Sequence, residues 1–131
     1  MIKVLFVEDH AVVREGIARV LKRQADMEVV GEAENGAIAL QLLNDGLQVD
    51  VVLTDMNMPV MNGLELIQQM SSLKLNVPVI ILTMHADTAF VENALASGFR
   101  GYLLKNGDMD ELVACIRDVH AGQLVISKEL R

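Results

Sequence analysis

Val51-Val52-Leu53-Thr54-Asp55-Met56-Asn57-Met58-Pro59 is the stretch on which the fold turns. An apolar run of this length, closed by a carboxylate and a turn, reads as a short strand buried on both faces. Asp55 then stands at the carboxyl end of that strand. In an open parallel α/β sheet this edge holds the ligand, because the loops there leave a crevice between neighbouring strands. A strand-end Asp taken alone more often serves a turn or a helix cap, so its role depends on what the rest of the chain brings to the same edge.

On the amino-terminal side, Ile2 to Val7 is apolar apart from Lys3, a central strand that ends in Glu8-Asp9-His10. Ala11 to Gln24 places Val13, Ile17, Val20 and Leu21 on one side and charges elsewhere, the pattern of an amphipathic helix. Met27 to Ala33 is a second strand. Asn35-Gly36 opens a helix with Ile38, Leu42 and Leu43 inward, which stops at Asn44-Asp45-Gly46, where Gly can take the left-handed position. After the third strand, Asn62 and Glu65 form a capping box for a helix whose Leu66, Ile67, Met70 and Leu73 share a face. Pro78 begins a fourth strand through Leu82, closed by Thr83. A helix from about Asp87 to Ser97, a short strand Gly101 to Leu104 closed by Lys105, and a last helix complete the pattern. That helix is capped by Asp108 with Glu111, has Leu112, Val113, Ile116 and Val119 inward, and ends at Gly122. Five strands alternating with five helices predict a doubly wound α/β sheet with right-handed crossovers. Residues 1–122 form one domain, and 123–131, with Val125-Ile126-Ser127, read as the start of a linker.

Composition bounds the function. A chain of 131 residues with net charge −7 and a single cysteine is the size of one domain that can bury a core without disulfides. Its apolar share of 52% against 3% aromatics predicts an aliphatic core. Cys115 falls on an apolar helix face and reads as a small core residue. The acidity argues against direct contact with a nucleic-acid backbone. No apolar run approaches the roughly 20 residues that span a bilayer, so a cytoplasmic protein with no membrane partner is expected.

All strands but the second end in polar residues: Glu8 and Asp9, Asp55, Thr83, and Lys105. Alternation alone does not give the strand order; if it is the flavodoxin-like 2-1-3-4-5, the first and third strands flank the crevice and bring Asp9 to face Asp55. Three carboxylates in one pocket repel each other, and a hard divalent cation relieves that repulsion. Mg²⁺, or Mn²⁺, takes oxygen ligands and is commonly held by one or two carboxylates plus a phosphate. Asp9 and Asp55 could ligate directly and Glu8 through water. A carboxylate beside such an ion can attack a phosphoryl group, with Lys105 and Thr83 placed for the spread-out charge of the transferring oxygens. Taken singly, Glu8-Asp9 is most often a capping pair, Thr83 a strand residue and Lys105 a solvated lysine. Their joint appearance at successive strand ends is what those readings leave unexplained.

With these residues the chain resembles the receiver domains of two-component response regulators over residues 2 to about 122: Glu8-Asp9, Asp55 with Pro59 and Gly63, Thr83, and Tyr102 with Lys105. Val7-Glu8-Asp9-His10 and Gly101-Tyr102-Leu103-Leu104-Lys105 are similar to the NarL/LuxR subfamily in particular. The resemblance implies a flavodoxin-like (βα)5 fold, with a five-stranded parallel sheet in order 2-1-3-4-5. It implies Asp55 as acceptor of a phosphoryl group from a sensor histidine kinase, and Asp9, Asp55 and the Asn57 carbonyl as ligands of Mg²⁺, with Glu8 beside them. Thr83 and Tyr102 would form a switch that reports through the fourth helix, fifth strand and fifth helix. The implied output is a C-terminal helix-turn-helix domain beyond this chain, and apolar residues on the first and last helices could serve a homodimer. Asn57 and Met84 would set rates. Met84 is bulkier than the small residue common beside the switch threonine, and Asn106 follows Lys105 where many receivers have Pro, which leaves the isomer of the 105–106 peptide open.

The chief rival is a Mg²⁺-dependent phosphohydrolase with an aspartyl nucleophile. Such enzymes usually carry a second acid two residues on, where this chain has Asn57. A flavin or nucleotide domain would want a Gly-rich phosphate loop after the first strand, where Glu8-Asp9 stands instead. A receiver used only as an interaction module is a further reading. His10 and His85 are expected on loops near the pocket, but oxygen ligands dominate it, which argues against zinc. His120 reads as a surface residue.

Overall fold

The computed structural model describes residues 1–84, 98–105 and 107–127. The helix expected from about Asp87 to Ser97, His85 and the 105–106 peptide lie outside the described residues. Within them the strands are β1 (Ile2–Val7), β2 (Met27–Ala33), β3 (Val51–Asp55), β4 (Val79–Thr83), β5 (Gly101–Leu104) and β6 (Val125–Ile126). The helices are α1 (Ala11–Lys22), α2 (Gly36–Asn44), α3 (Gly63–Ser72) and α4 (Met109–His120).

All strand pairs are parallel, in the order β2-β1-β3-β4-β5-β6. The expected order 2-1-3-4-5 is there, but the expected count of five strands is not. Val125–Ile126, read as linker, pairs with Gly101 and Tyr102 as a sixth strand. Its backbone is tied at both ends: Val125 N–H donates to Arg100 O at 3.0 Å and Ser127 N–H to Tyr102 O at 2.9 Å.

Successive side chains of a strand point to opposite faces, so a sheet covered on both sides needs apolar residues at nearly every position. In β1, Val4 and Phe6 enter one core cluster with Ile17 and Leu21 of α1 and with Leu112, Ile116 and Val119 of α4. Leu5 and Val7 enter the other, with Ala39 of α2 and Leu66, Ile67 and Met70 of α3. Cys115 is a core residue of the first cluster, and burial pushes its thiol up to about 12.

Helix ends follow the sequence closely. Asn62 accepts from Glu65 N–H at 2.8 Å while the Glu65 side chain accepts from Asn62 N–H at 3.1 Å, the reciprocal box expected for α3. Asn35 caps α2, and Gly46 and Gly122 sit at φ +99° and +98° after their helices. Three details differ. Ile38 and Leu73, expected inward, are exposed: Ile38 lies in the first turn of α2, where Ala39 is the residue facing the sheet, and Leu73 lies just past α3. Asp108 caps α4 through Asp110 N–H at 2.9 Å, one residue short of Glu111.

Candidate functional site

The strand registers bring the expected residues to one edge. Val7 lies level with Thr54, Asp55 with Leu82, and Thr83 with Leu104, so the carboxyl ends of β1, β3, β4 and β5 finish together. The next residues, Glu8 and Lys105, therefore meet above the sheet beside Asp55.

Glu8 is fully buried, as are Asp55 and Thr83 to within a few per cent. The Lys105 ammonium, its side chain 8% exposed, contacts Glu8 Oε1 and donates to Asp55 Oδ2 at 2.9 Å. One cation thus bridges two carboxylates in a place nearly closed to water. Burial pushes the Glu8 carboxyl up to about 7, against the pull of Lys105 and with the added repulsion of Asp55. Burial works against the charge of Lys105, yet its two carboxylate partners outweigh it and hold the ammonium above its ordinary value.

The loops are built to hold this arrangement. Arg14 of α1, read from sequence as an outward charge, folds back so that Nη1 donates to the Glu8 carbonyl at 2.6 Å. An arginine that helical periodicity would leave in solvent thereby anchors the β1–α1 turn. The β3–α3 loop returns tightly over the strand end: Gly63 N–H donates to Met56 O at 3.0 Å. A Cβ at Gly63 would stand 2.8 Å from the Asp55 carbonyl oxygen, so only glycine lets α3 start there. Asn57 is exposed, with its N–H 3.5 Å from Asp55 Oδ1. Val60, in the same loop, is 78% exposed and has φ 69°, a costly conformation for a β-branched residue.

Of the expected switch residues, Thr83 is buried beside Lys105, whose N–H donates to the Thr83 carbonyl at 2.6 Å. Tyr102 is buried in the second core cluster, its ring 5.1 Å from that of Phe99 and tilted by 55°. Met84 follows directly after β4 and is 55% exposed.

Donor chemistry at the site suits a hard cation. Single oxygens of Glu8, Asp9 and Asp55 lie within 4.8 Å of one another, joined by one nitrogen of His10. Glu8 Oε2 and Asp9 Oδ1 are buried without a hydrogen-bond donor, while Glu8 Oε1 is met by the Lys105 ammonium. Buried carboxylate oxygens left in this condition are costly unless a cation serves them. Among the described residues, no helix is long and apolar enough to cross a membrane.

Comparison with known proteins agrees with this geometry. Residues 4–117 match the family model described as "Response regulator receiver domain". The chain is 38% identical over 130 residues to the transcriptional regulatory protein LnrK of Bacillus subtilis (strain 168), covering 99% of this chain and 59% of that protein. It is likewise 38% identical over 130 residues to the response regulator UvrY of Escherichia coli (strain K12), again over 99% of this chain and 59% of the relative. The chain thus spans about three fifths of the length of these relatives, 59% in each case. Among solved structures, the crystal structure of a LuxR-family two-component response regulator from Aurantimonas sp. SI85-9A1 superposes with a TM-score of 0.91 at 31% identity, covering 98% of this chain and 91% of that one. With the parallel order, the acid–lysine edge and these matches together, the chain belongs to the response regulator receiver domain family, and its relatives are regulators of the LuxR/NarL type.

Proposed function

We propose that this receiver domain accepts a phosphoryl group on Asp55 from a sensor histidine kinase and passes the resulting change of conformation to an output domain. The observation that carries the reading is the buried Lys105 ammonium held between Glu8 and Asp55 at the joint end of β1, β3 and β5. An Asp55 oxygen attacks phosphorus, the bond from phosphorus to the donor's imidazole nitrogen breaks, and the electron pair leaves with that nitrogen. Lys105 then offers its charge to the phosphoryl oxygens, and the Thr83 hydroxyl offers a proton to another. Glu8, Asp9, Asp55 and the Asn57 carbonyl would hold Mg²⁺, or Mn²⁺, whose chemistry when bound is to neutralise charge on the carboxylates and the incoming phosphoryl oxygens.

Self-catalysed phosphotransfer and dephosphorylation are the only chemistry in this reading, and a phosphohydrolase is not favoured by the family match. Exposed Asn57 and Met84 flank the site and would modulate the two rates. Attraction of the Thr83 hydroxyl toward the phosphoryl group would shift an existing equilibrium in which the packing of Tyr102 differs. The face that reports this change comprises the helix expected at about 87–97, β5 and α4. The receiver runs past the boundary expected at residue 122 to include β6, and the residues after it would lead toward a helix-turn-helix DNA-binding domain of the kind that the LuxR-type relatives support. A cytoplasmic setting and a homodimer belong to the same reading.

Intact mass after incubation with acetyl phosphate or phosphoramidate, with and without Mg²⁺, tests it. A single phosphoryl adduct that needs Mg²⁺, is cleaved by hydroxylamine and is absent from Asp55→Asn is expected. No adduct on a folded protein would refute the reading, and repeated turnover of many phosphate esters would favour the hydrolase instead.

A further inference from the structure

His10 stands next to the acidic cluster, and its side chain does nothing for its own helix. It holds the position before α1 in an extended conformation (φ −83°, ψ 108°), and its side chain makes no capping hydrogen bond. Helices usually place Ser, Thr, Asp or Asn there, whose short side chains satisfy the free N–H groups. The His10 main chain is fixed, since its carbonyl accepts from Arg14 N–H at 2.9 Å. Its imidazole turns to the acids instead, with Nδ1 3.4 Å from Asp9 Oδ1 and 3.8 Å from Glu8 Oε1. One donor atom from each of Glu8, Asp9, His10 and Asp55 lies within 4.8 Å of all the others. A separate observation points to a ligand among them: Glu8 is wholly buried, and its Oε2 has no hydrogen-bond partner.

We propose that His10 is a nitrogen ligand of this site and gives it a mixed donor set that favours borderline divalent ions such as Co²⁺ and Zn²⁺ over Mg²⁺. The proposal rests on the reading of the carboxylates as a cation site. Carboxylate, carbonyl and water suit Mg²⁺ and Mn²⁺, whereas imidazole adds affinity for the later transition metals and little for Mg²⁺. Competing sites are few among the described residues. Cys115 is sealed in the core, and His120 is exposed in the last turn of α4, on the element that ends away from the acids.

Calorimetric titration of the metal-free full chain with Co²⁺, and separately with Mg²⁺, tests the proposal in the wild type, His10→Ala and His10→Gln, each carrying His120→Ala to silence that group. The visible absorption of bound Co²⁺ is read in parallel, and circular dichroism verifies that each variant is folded. Loss of His10 is expected to weaken Co²⁺ by about tenfold or more, to leave Mg²⁺ within about twofold, and to change the Co²⁺ spectrum. Asp9→Asn is expected to weaken both ions. Co²⁺ affinity and spectrum that ignore His10 while Mg²⁺ still binds would overturn this proposal alone. Equal losses for Co²⁺ and Mg²⁺ would also overturn it, since His10 would then only position the acids. Failure of the wild type to bind Mg²⁺ at all would overturn the cation reading with it.

Discussion

Glu8→Gln is expected to make the metal-free protein more stable at neutral pH, although it removes one arm of a buried ion pair. The Glu8 carboxyl lies at about 7 in the folded protein against 4.5 for an exposed glutamate, chiefly because burial strips water from the charge. The folded state therefore binds the Glu8 proton more tightly than the unfolded chain. Its contribution to stability is fully present below pH 4.5 and is lost as pH rises through about 7. At about 1.4 kcal/mol per pKa unit, the gap between 4.5 and about 7 amounts to about 3 kcal/mol at alkaline pH. Water at the mouth beside Asp9, whose side chain is 26% exposed, screens part of this and leaves about 2 kcal/mol. Glutamine keeps the shape and carries no charge, and Lys105 keeps Asp55 as a partner. Urea unfolding in the presence of a chelator, from pH 5 to pH 8, measures the effect. The wild type should lose stability across that range while Glu8→Gln stays nearly level, so that the midpoints separate by about 1 M at the upper end. A variant that is no more stable than the wild type at pH 8, or that keeps the same slope, would refute the claim that this buried charge opposes folding.

Lys105→Met removes the ammonium that pulls the Glu8 carboxyl down, so that carboxyl should titrate above about 7, followed by carbon-13 NMR of the labelled side chain. An unchanged or lower titration point would contradict the bridge. Val60→Gly should stabilise the protein by about 1 kcal/mol in urea, because an exposed valine at φ 69° pays about 1–2 kcal/mol for its left-handed backbone and glycine gives back only part of that in entropy. Gly63→Ala should cost about 1–3 kcal/mol, since its Cβ would stand 2.8 Å from the Asp55 carbonyl oxygen and the β3–α3 turn would have to open. The same variant should slow adduct formation on Asp55, and retention of both stability and rate would count against a tightly fixed loop.

The elements written in long or strongly periodic stretches were legible from the residues. β1 and β3 announced themselves as nearly continuous apolar runs because both faces of a parallel sheet are covered, and Asn62 with Glu65 named the start of α3 three residues apart. The polar residues closing those runs located the site. What the sequence did not carry was decided by tertiary context. Two residues of β6 are too few to show a period, and they form a strand because β5 offers unpaired backbone groups beside them. Ile38 and Leu73 are apolar at helix margins, where geometry and not composition decides which side faces the sheet. Asp108 reaches Asp110 sooner than Glu111, a choice of rotamer invisible in the letters. Glu8 was expected to reach a cation through water, and its full burial against Lys105, with Arg14 on its carbonyl, depends on residues from different parts of the chain. Arg14 looked like a surface charge because helical periodicity cannot foresee a side chain folding back onto a turn.

The two borders of the sheet differ in how they discourage another chain from adding to it. β2 spans seven residues and exposes Glu28 and Glu32, charges that make a poor template for a neighbouring strand. β5 has four residues, GYLL, and no charge, and left open it would be an invitation to self-association. Val125 and Ser127 occupy the carbonyls of Arg100 and Tyr102, and the border they create is only two residues long. Residues 123–127 therefore act as a guard against aggregation: a chain ended at Gly122 should gather into oligomers under conditions where the longer chain stays dispersed.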